Sequence, residues 1–469
     1  MVFSSIEFLL YFLPVFFILY GITPKSLKNM TLLSGSLIFY ALGEPKYLVL
    51  LMISIFINYF AGLHIQPARG SKENKDRSDK NKKRKKYKRQ QKHERFRRLL
   101  FLAAIAANVG CLAFFKSGAG GEGLPLGISF YTFQIISYLT DVYRGEIKRE
   151  RSFLRLASYI AMFPQLLSGP IVSYAEIEPA LSNRKMTAES IQDGLKVFTV
   201  GLVWKVLLAD RIGLLWNEVQ VKGFESISTP LAWLAAFAYS MEIYFDFYGY
   251  SLMAIGLGRM MGFQLPENFR NPYMARSVRD FYRRWHITLG KWFCKYVYIP
   301  LGGNRRGEFR TVRNLLAVWM LTSLWHGSTA NFFVWGGMLW FFITVERQLG
   351  KTGLGKHLGI LPHLYLWAVI PVTWMCFAIT DLSQLQVYLG RMFGLVEGIN
   401  VRSGDWQPAL ENYGPLFAVS IAACTPIMQK IYHKWKDTIP GMLVLAALFW
   451  VCVWRIAVEG ENPFMYFNF

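Results

Sequence analysis

At 469 residues the chain is long enough for two or three soluble domains, but its composition excludes them: 53% of residues are hydrophobic, 16% aromatic and only 17% charged, where a soluble protein carries about a quarter. Apolar runs of about 16 to 20 residues recur from end to end, close to the length a helix needs to cross a bilayer, so one all-α polytopic membrane domain over 1–469 is predicted. The net charge of +22 does not argue for nucleic acid, because the segment 66–98 alone holds 16 Lys/Arg against 4 Asp/Glu; such a run between hydrophobic spans marks a basic cytoplasmic loop, able to rest on anionic lipid headgroups.

In chain order, residues 5–20 are apolar, with no Lys or Arg before Lys25 and no small-residue cleavage site, which predicts a first membrane helix rather than a signal peptide. The basic turn 24–28 then places the N-terminus outside. Spans are predicted at about 29–42 and 46–64, before the loop 66–98, and at about 99–115 after it. Gly118-Ala119-Gly120-Gly121-Glu122-Gly123 formally matches G-x-G-x-x-G, but no predicted strand precedes it, so a flexible linker is the better account.

Two segments mix Pro and Gly with apolar and hydroxyl residues, 124–134 and 163–172. Each reads either as a re-entrant piece lining a wet cavity or as a kinked ordinary span. Two long spans follow, at about 190–208 and 231–256. The second carries Glu242 and Asp246, two carboxylates four apart on one helical face. That pair suits acid–base work or the anchoring of neighbouring Arg or Tyr groups.

Residues 259–313 are strongly basic and belong to the cytoplasmic side by the same rule. Later spans fall at about 312–326, 331–347, 361–380, 412–430 and 439–457. An extracytoplasmic loop at 381–412 and an extracytoplasmic aromatic tail at 459–469 complete a count of about twelve spans, with both termini outside. The five cysteines (Cys111, Cys294, Cys376, Cys424, Cys452) show no C-x-x-C and no metal-ligand spacing, so they read as buried spectators and no metal site is predicted.

The chemistry concentrates between Ala275 and Gly327. Two Trp–His steps, Arg283-Arg284-Trp285-His286 and Leu324-Trp325-His326-Gly327, flank Tyr298-Ile299-Pro300-Leu301-Gly302-Gly303-Asn304-Arg305. His326 closes an uncharged apolar run that starts at Leu315, and an ionisable group at such depth usually faces a cavity or a reaction path. Histidine suits proton transfer near neutral pH. No G-x-S-x-G, P-loop or H-E-x-x-H is present, so a covalent serine enzyme or a zinc hydrolase is unsupported. A histidine that takes a proton from a hydroxyl, with basic groups holding carrier phosphates, fits these residues. A histidine satisfied within a polar bundle core fits them as well.

The order of motifs resembles the membrane-bound O-acyltransferase superfamily, in its bacterial alginate O-acetyltransferase branch. The similar elements are Pro125–Phe130, Phe163–Pro170, Ile243–Phe247, Arg283–His286, Tyr298–Arg305, Leu324–Gly327 and the aromatic tail Pro463–Phe469. The resemblance implies a ring of about twelve membrane helices plus re-entrant segments around a central tunnel. His326 would stand at its narrow centre as general base, and His286 at the cytoplasmic entrance, positioning a thioester or stabilising an oxyanion. Arg283, Arg284, Trp285, Trp325, Asp246 and Asn304 would line the tunnel or hold the donor. The tail's Tyr466 would carry the acyl group briefly, or serve as an interface anchor.

The implied reaction takes acetyl from acetyl-CoA, a donor substrate rather than a bound cofactor. The acetyl group crosses the bacterial cytoplasmic membrane and, through an extracytoplasmic acetyltransferase- or esterase-like partner, reaches an exported polysaccharide or peptidoglycan. Membrane lipids are the remaining partners, and no nucleic acid is expected. Glu242, Tyr248-Gly249 and the Cys294-Lys295 step depart from the family's usual residues. The rival chemistry is D-alanyl transfer to teichoic acid from a carrier protein; the fused aromatic tail argues against it. A transporter is the rival of another class, but no internal repeat supports it.

Overall fold

The computed structural model describes residues 1–67, 80–119, 123–167, 169–352, 359–460 and 462–465. These are helical with irregular connections, and no strand occurs among them. Gly120 to Glu122 and all of Tyr466 to Phe469 lie outside the described residues. Two compact units divide the chain, one of Met1, Phe12–Leu167 and Ile171–Lys185, the other of Val2–Tyr11, Ser168–Pro170 and Met186–Phe469.

In the first unit the helices Leu48–Ile65, Lys80–Lys116 and Ile128–Arg144 pack on one another. Polar side chains join them where apolar contact alone discriminates poorly. Asn58 and Asn108 exchange amide hydrogen bonds of 3.1 and 2.8 Å between two of these helices, the kind of interhelical bond that fixes register in lipid. The basic stretch 66–98, expected as a loop, is instead helical from Lys80 onward and continuous with the apolar half, about 55 Å in all. Lys, Arg, Gln and Glu are good helix formers, and no Pro or Gly interrupts them before Gly110. Charge there reported the solvent, not the backbone.

The two Pro/Gly segments resolve differently. At 124–134 the helix starts cleanly at Ile128 after Gly127, which sits at φ 69° with the Leu166 carbonyl 2.3 Å from where a Cβ would stand. It then runs unbroken to Arg144, almost wholly buried. At 163–172 the backbone is broken: helix Phe153–Ala161 ends, Met162 is non-helical, and a short turn Phe163–Leu166 follows, all buried.

The second unit is organised on the helix Thr229–Met260, which lies against Ala188–Val203. Their contact is glycine on glycine. A Cβ on Gly201 would meet the Gly249 carbonyl at 2.5 Å and one on Gly249 the Gly201 carbonyl at 2.6 Å; Gly194 and Gly256 repeat the relation two turns away. Backbones approach this closely only where side chains are absent, a packing mode favoured in lipid. Beyond Val203 the chain widens into a π-helical turn, Trp204–Ala209, and continues as Asp210–Lys222.

Four described helices are long and apolar enough to cross a membrane alone: Pro45–Ile65, Lys88–Lys116, Leu361–Ala378 and Ile439–Glu459. The span expected at 412–430 is a bent pair, Trp406–Ala423 and Pro426–Trp435, turned by 77°. Thr425 caps the second helix and Pro426 cannot continue the first. Within the expected loop 381–412, residues Leu382–Met392 form an amphipathic helix capped by Asp381.

Candidate functional site

The site is built on a short helix, Val278–Arg284, whose N-terminal amides are held from another element. Glu346 accepts from the backbone N–H of Val278 (2.6 Å) and of Arg279 (3.0 Å), placing a carboxylate where the helix dipole favours it. The helix stops at Trp285, which is extended. His286 follows at φ 45° and ψ 54°, a left-handed conformation uncommon for a residue with a Cβ. Such strain concentrates at functional sites. The helix Ile287–Phe293 then begins.

The second Trp–His step ends the helix Glu308–His326, which folds back along Ala330–Thr352. Gly336 admits this crossing, since a Cβ there would stand 2.0 Å from Ser323 Oγ. His326 is packed by rings, with centroids 4.6 Å from Trp325, 5.1 Å from Trp335 and 5.0 Å from Phe377. The Trp325 ring is also 6.3 Å from that of His286, though Trp325 is not among the residues lining the cavity that the two histidines share.

Both histidines line one cavity of about 300 Å³. Along Glu308–His326 its wall runs from Leu315 to His326, about 16 Å. Along the antiparallel helix it runs from Trp335 to Arg347, about 18 Å. The cavity is therefore a slot with His326 and Trp335 at one end and Arg347 at the other. Arg279 and Arg283, one turn apart, also line it. Neither makes an ion pair among the described residues, whereas Arg347 is bonded to Glu308 at 3.0 Å. Burial, and then the neighbouring Arg283 and Arg347 charges, lower the Arg279 guanidinium from its ordinary value. Like charges crowded this way favour an anionic ligand.

The other candidate residues separate. Trp285 lines the slot with Arg283, but Arg284 turns aside to Asp280 (3.1 Å). Asn304 is exposed on the turn before Glu308, outside the slot; of its motif only Tyr298 lines the wall. Cys294 is exposed and lines the slot, which corrects its reading as a buried spectator. Asp246 is not at the slot either. It meets Lys205 at 2.7 Å, and Lys205 also meets Asp210 at 2.6 Å, so of the two carboxylates four apart Asp246 serves a lysine rather than an Arg or Tyr. Glu242 packs against Gly213.

The aspartates of this cluster also hold the C-terminal tail. Asn462 donates to Asp210 (2.8 Å) and the Met465 amide to Asp246 (2.9 Å). Phe464, fully buried between them, stacks on Tyr250 and lies 5.5 Å from Phe247, whose ring is 4.8 Å from that of His286. Sequence reasoning missed Arg279, Arg347 and Asn268. The first was legible four residues before Arg283; the others become site residues only through folding.

Comparison with known proteins decides the family. The membrane-bound O-acyltransferase model matches residues 73–352. The chain belongs to the membrane-bound O-acyltransferase family. As a member it is an acyltransferase of the multi-pass membrane kind. It is 32% identical to "Probable alginate O-acetylase AlgI" of Pseudomonas putida, over all of both chains. It is 33% identical to the peptidoglycan O-acetyltransferase of Helicobacter pylori, covering all of this chain and 98% of that one. The teichoic acid D-alanyltransferase of Bacillus subtilis is 28% identical over 45% of this chain and 56% of its own. The match thus extends through the tail in the O-acetylating relatives and covers under half the chain in the D-alanylating one.

Proposed function

We propose that this protein is a membrane O-acetyltransferase of the bacterial cytoplasmic membrane. Acetyl-CoA is the donor, and the acceptor is an exported polysaccharide or peptidoglycan reached through an extracytoplasmic esterase-like partner. The observation that carries this reading is the slot itself, with two histidines toward one end and three arginines toward the other, of which Arg279 and Arg283 make no ion pair among the described residues. A thioester on a phosphate-bearing carrier has that polarity: anionic groups for Arg279 and Arg283, a reacting carbonyl for the histidine end. Full-length similarity to the two O-acetylating relatives supports acetyl over D-alanyl.

In the step proposed, His326 takes the proton of an acceptor hydroxyl while the oxygen attacks the thioester carbonyl. The C–O bond forms, the C–S bond breaks, and the imidazolium returns its proton to the leaving thiolate. His286 positions the reactants, and Trp325 packs against both rings. The family's ring of about twelve spans with re-entrant segments and both termini outside belongs to the same proposal. So does Tyr466 as a transient acyl carrier, which the anchoring of Met465 to Asp246 and of Phe464 beside Phe247 supports.

Membranes given acetyl-CoA labelled in the acetyl group are expected to gain saponifiable label on polymer. His326→Ala, at equal protein level, is expected to lose about 10²- to 10⁴-fold, the worth of a positioned acid–base. Persistent labelling in that variant, or labelling from a D-alanyl carrier alone, overturns the assignment. Tyr466→Phe removes one hydroxyl and is expected to abolish polymer acetylation; undiminished transfer would leave the tail as an anchor.

A further inference from the structure

The hydrogen bonds behind His286 determine which of its nitrogens carries the proton. Asn268 Oδ1 accepts from the backbone N–H of Thr288 (3.3 Å) and from its hydroxyl (2.9 Å). A backbone amide can only donate, so the atom facing it is the carbonyl oxygen of the side chain and not its nitrogen. The Asn268 amide nitrogen points the other way and donates to Ser251 Oγ at 3.0 Å. His286 Nδ1 lies 3.1 Å from that same Oδ1. An acceptor oxygen requires a donor, so Nδ1 bears the hydrogen, and in the neutral ring Nε2 bears a lone pair.

That Nε2 is buried and has no hydrogen-bond partner among the described residues, while its ring lines the slot. A buried acceptor without a partner is costly unless a ligand completes it. A charged ring is disfavoured, because the one side chain hydrogen-bonded to it among the described residues is a neutral amide and the residue is 3% exposed. The backbone reinforces the placement. Ile287 N–H donates to the Asn268 carbonyl (2.9 Å) and Arg270 N–H to the Arg284 carbonyl (2.9 Å), clamping both sides of the left-handed residue.

We infer that Asn268 is a positioning residue for the transfer, fixing His286 in the tautomer whose Nε2 accepts a hydrogen bond from a hydroxyl or amide hydrogen of bound substrate. The inference rests on reading the slot as the transferase site. It also corrects one expected role of His286: a lone pair repels an oxyanion, so the ring orients a reactant and another donor must meet the developing charge.

The test uses the full-length protein in membranes, with acetyl-CoA as the probe. Asn268→Leu keeps the volume and removes the acceptor; Asn268→Asp keeps an acceptor oxygen for both Nδ1–H and Thr288. Asn268→Leu is expected to lower kcat/KM about 10- to 100-fold, as removal of an orienting partner does elsewhere, and Asn268→Asp to restore most of it. A raised KM for acetyl-CoA places the hydrogen on the donor, and a lowered kcat at unchanged KM places it on the acceptor hydroxyl. Solid-state 15N spectra of histidine-labelled wild type, with the His286→Gln spectrum subtracted, are expected to show a protonated Nδ1 and an unprotonated Nε2. A protonated Nε2 overturns the inference, as does Asn268→Leu with wild-type kinetics. The spectrum is read without turnover, so it stands apart from any failure of the acetyl-transfer reading and from any misfolding of the leucine variant.

Discussion

Two buried polar clusters within the same unit are finished in opposite ways. Around Lys205 the charges answer one another: the ammonium meets Asp210 and Asp246, and those carboxylates take Asn462 and the Met465 amide. Around His286 the groups are neutral: Asn268 Oδ1 accepts from the ring and from Thr288, and its amide donates to Ser251, leaving Nε2 with no hydrogen bond among the described residues. The charge-paired cluster spends its polarity on holding chain to chain, here a terminal tail to two helices, although Glu242 Oε2 beside it has no hydrogen bond among the described residues. A cluster saturated on one side only is fixed in place and still has an interaction to offer. The difference separates a structural from a chemical use of buried polarity better than residue type does, since both Asp246 and His286 are candidate site residues from sequence.

The strongest way to break this comparison is to remove the cation of the charge-paired cluster. Lys205→Met leaves two buried carboxylates facing each other without a counter-charge, which costs about 3–5 kcal/mol in comparable pairs. Thermal unfolding in detergent is expected to fall markedly, and the accumulated level in membranes with it. His286→Gln, by contrast, is expected to leave unfolding nearly unchanged while transfer collapses. Equal effects on stability from both variants would erase the distinction.

How much of this was legible beforehand follows from the range of each interaction. The Trp–His steps stand out locally, because an imidazole at the end of an uncharged apolar run is conspicuous by composition alone. That the two share one slot depends on the segment 278–293 and the helices Glu308–His326 and Ala330–Thr352 lining one cavity, a relation between elements that no local pattern carries. Lys205 was visible in the same terms as His326, a charge inside an apolar run, and pairing it with the 242/246 face would have predicted an anchor. Asn304 shows the converse: a Gly-rich basic turn reads like a binding loop, yet its asparagine faces away from the slot. The basic half of Lys80–Lys116 departs from the expected loop because charge reports exposure and not backbone, and its residues are helix formers.

At the arginine end the contrast can be sharpened through the donor. Arg279 and Arg283 line the slot without an ion pair among the described residues, which leaves their guanidinium groups available to a phosphate-bearing ligand. Arg283→Gln is expected to raise the KM for acetyl-CoA about tenfold, the scale of one charge-assisted hydrogen bond, with kcat little changed. Added salt should reduce the difference between variant and wild type, because the rim is exposed to solvent. A fall in kcat at constant KM would move Arg283 from donor binding to the reacting centre.

The smallest effect concerns Arg347, which the same end of the slot contains but which Glu308 engages. Hydrogen bonds from Arg347 and Lys351 hold the Glu308 carboxyl down at about 2. Because the folded value lies below the unfolded one, the contribution of this pair is fully present above the ordinary carboxylate range and is lost as pH falls through about 2. Through the whole neutral range, then, Arg347 is occupied by protein rather than by ligand. Glu308→Gln releases it as a further cation for the donor, and the KM for acetyl-CoA is expected to drop by about twofold, in keeping with an exposed pair. The sign is opposite to that of Arg283→Gln, although both substitutions remove one charge at the same rim. A rise in KM for Glu308→Gln would mean that the carboxylate orients Arg347 toward the ligand instead of withholding it, and the arginine end would then be as pre-arranged as the histidine end.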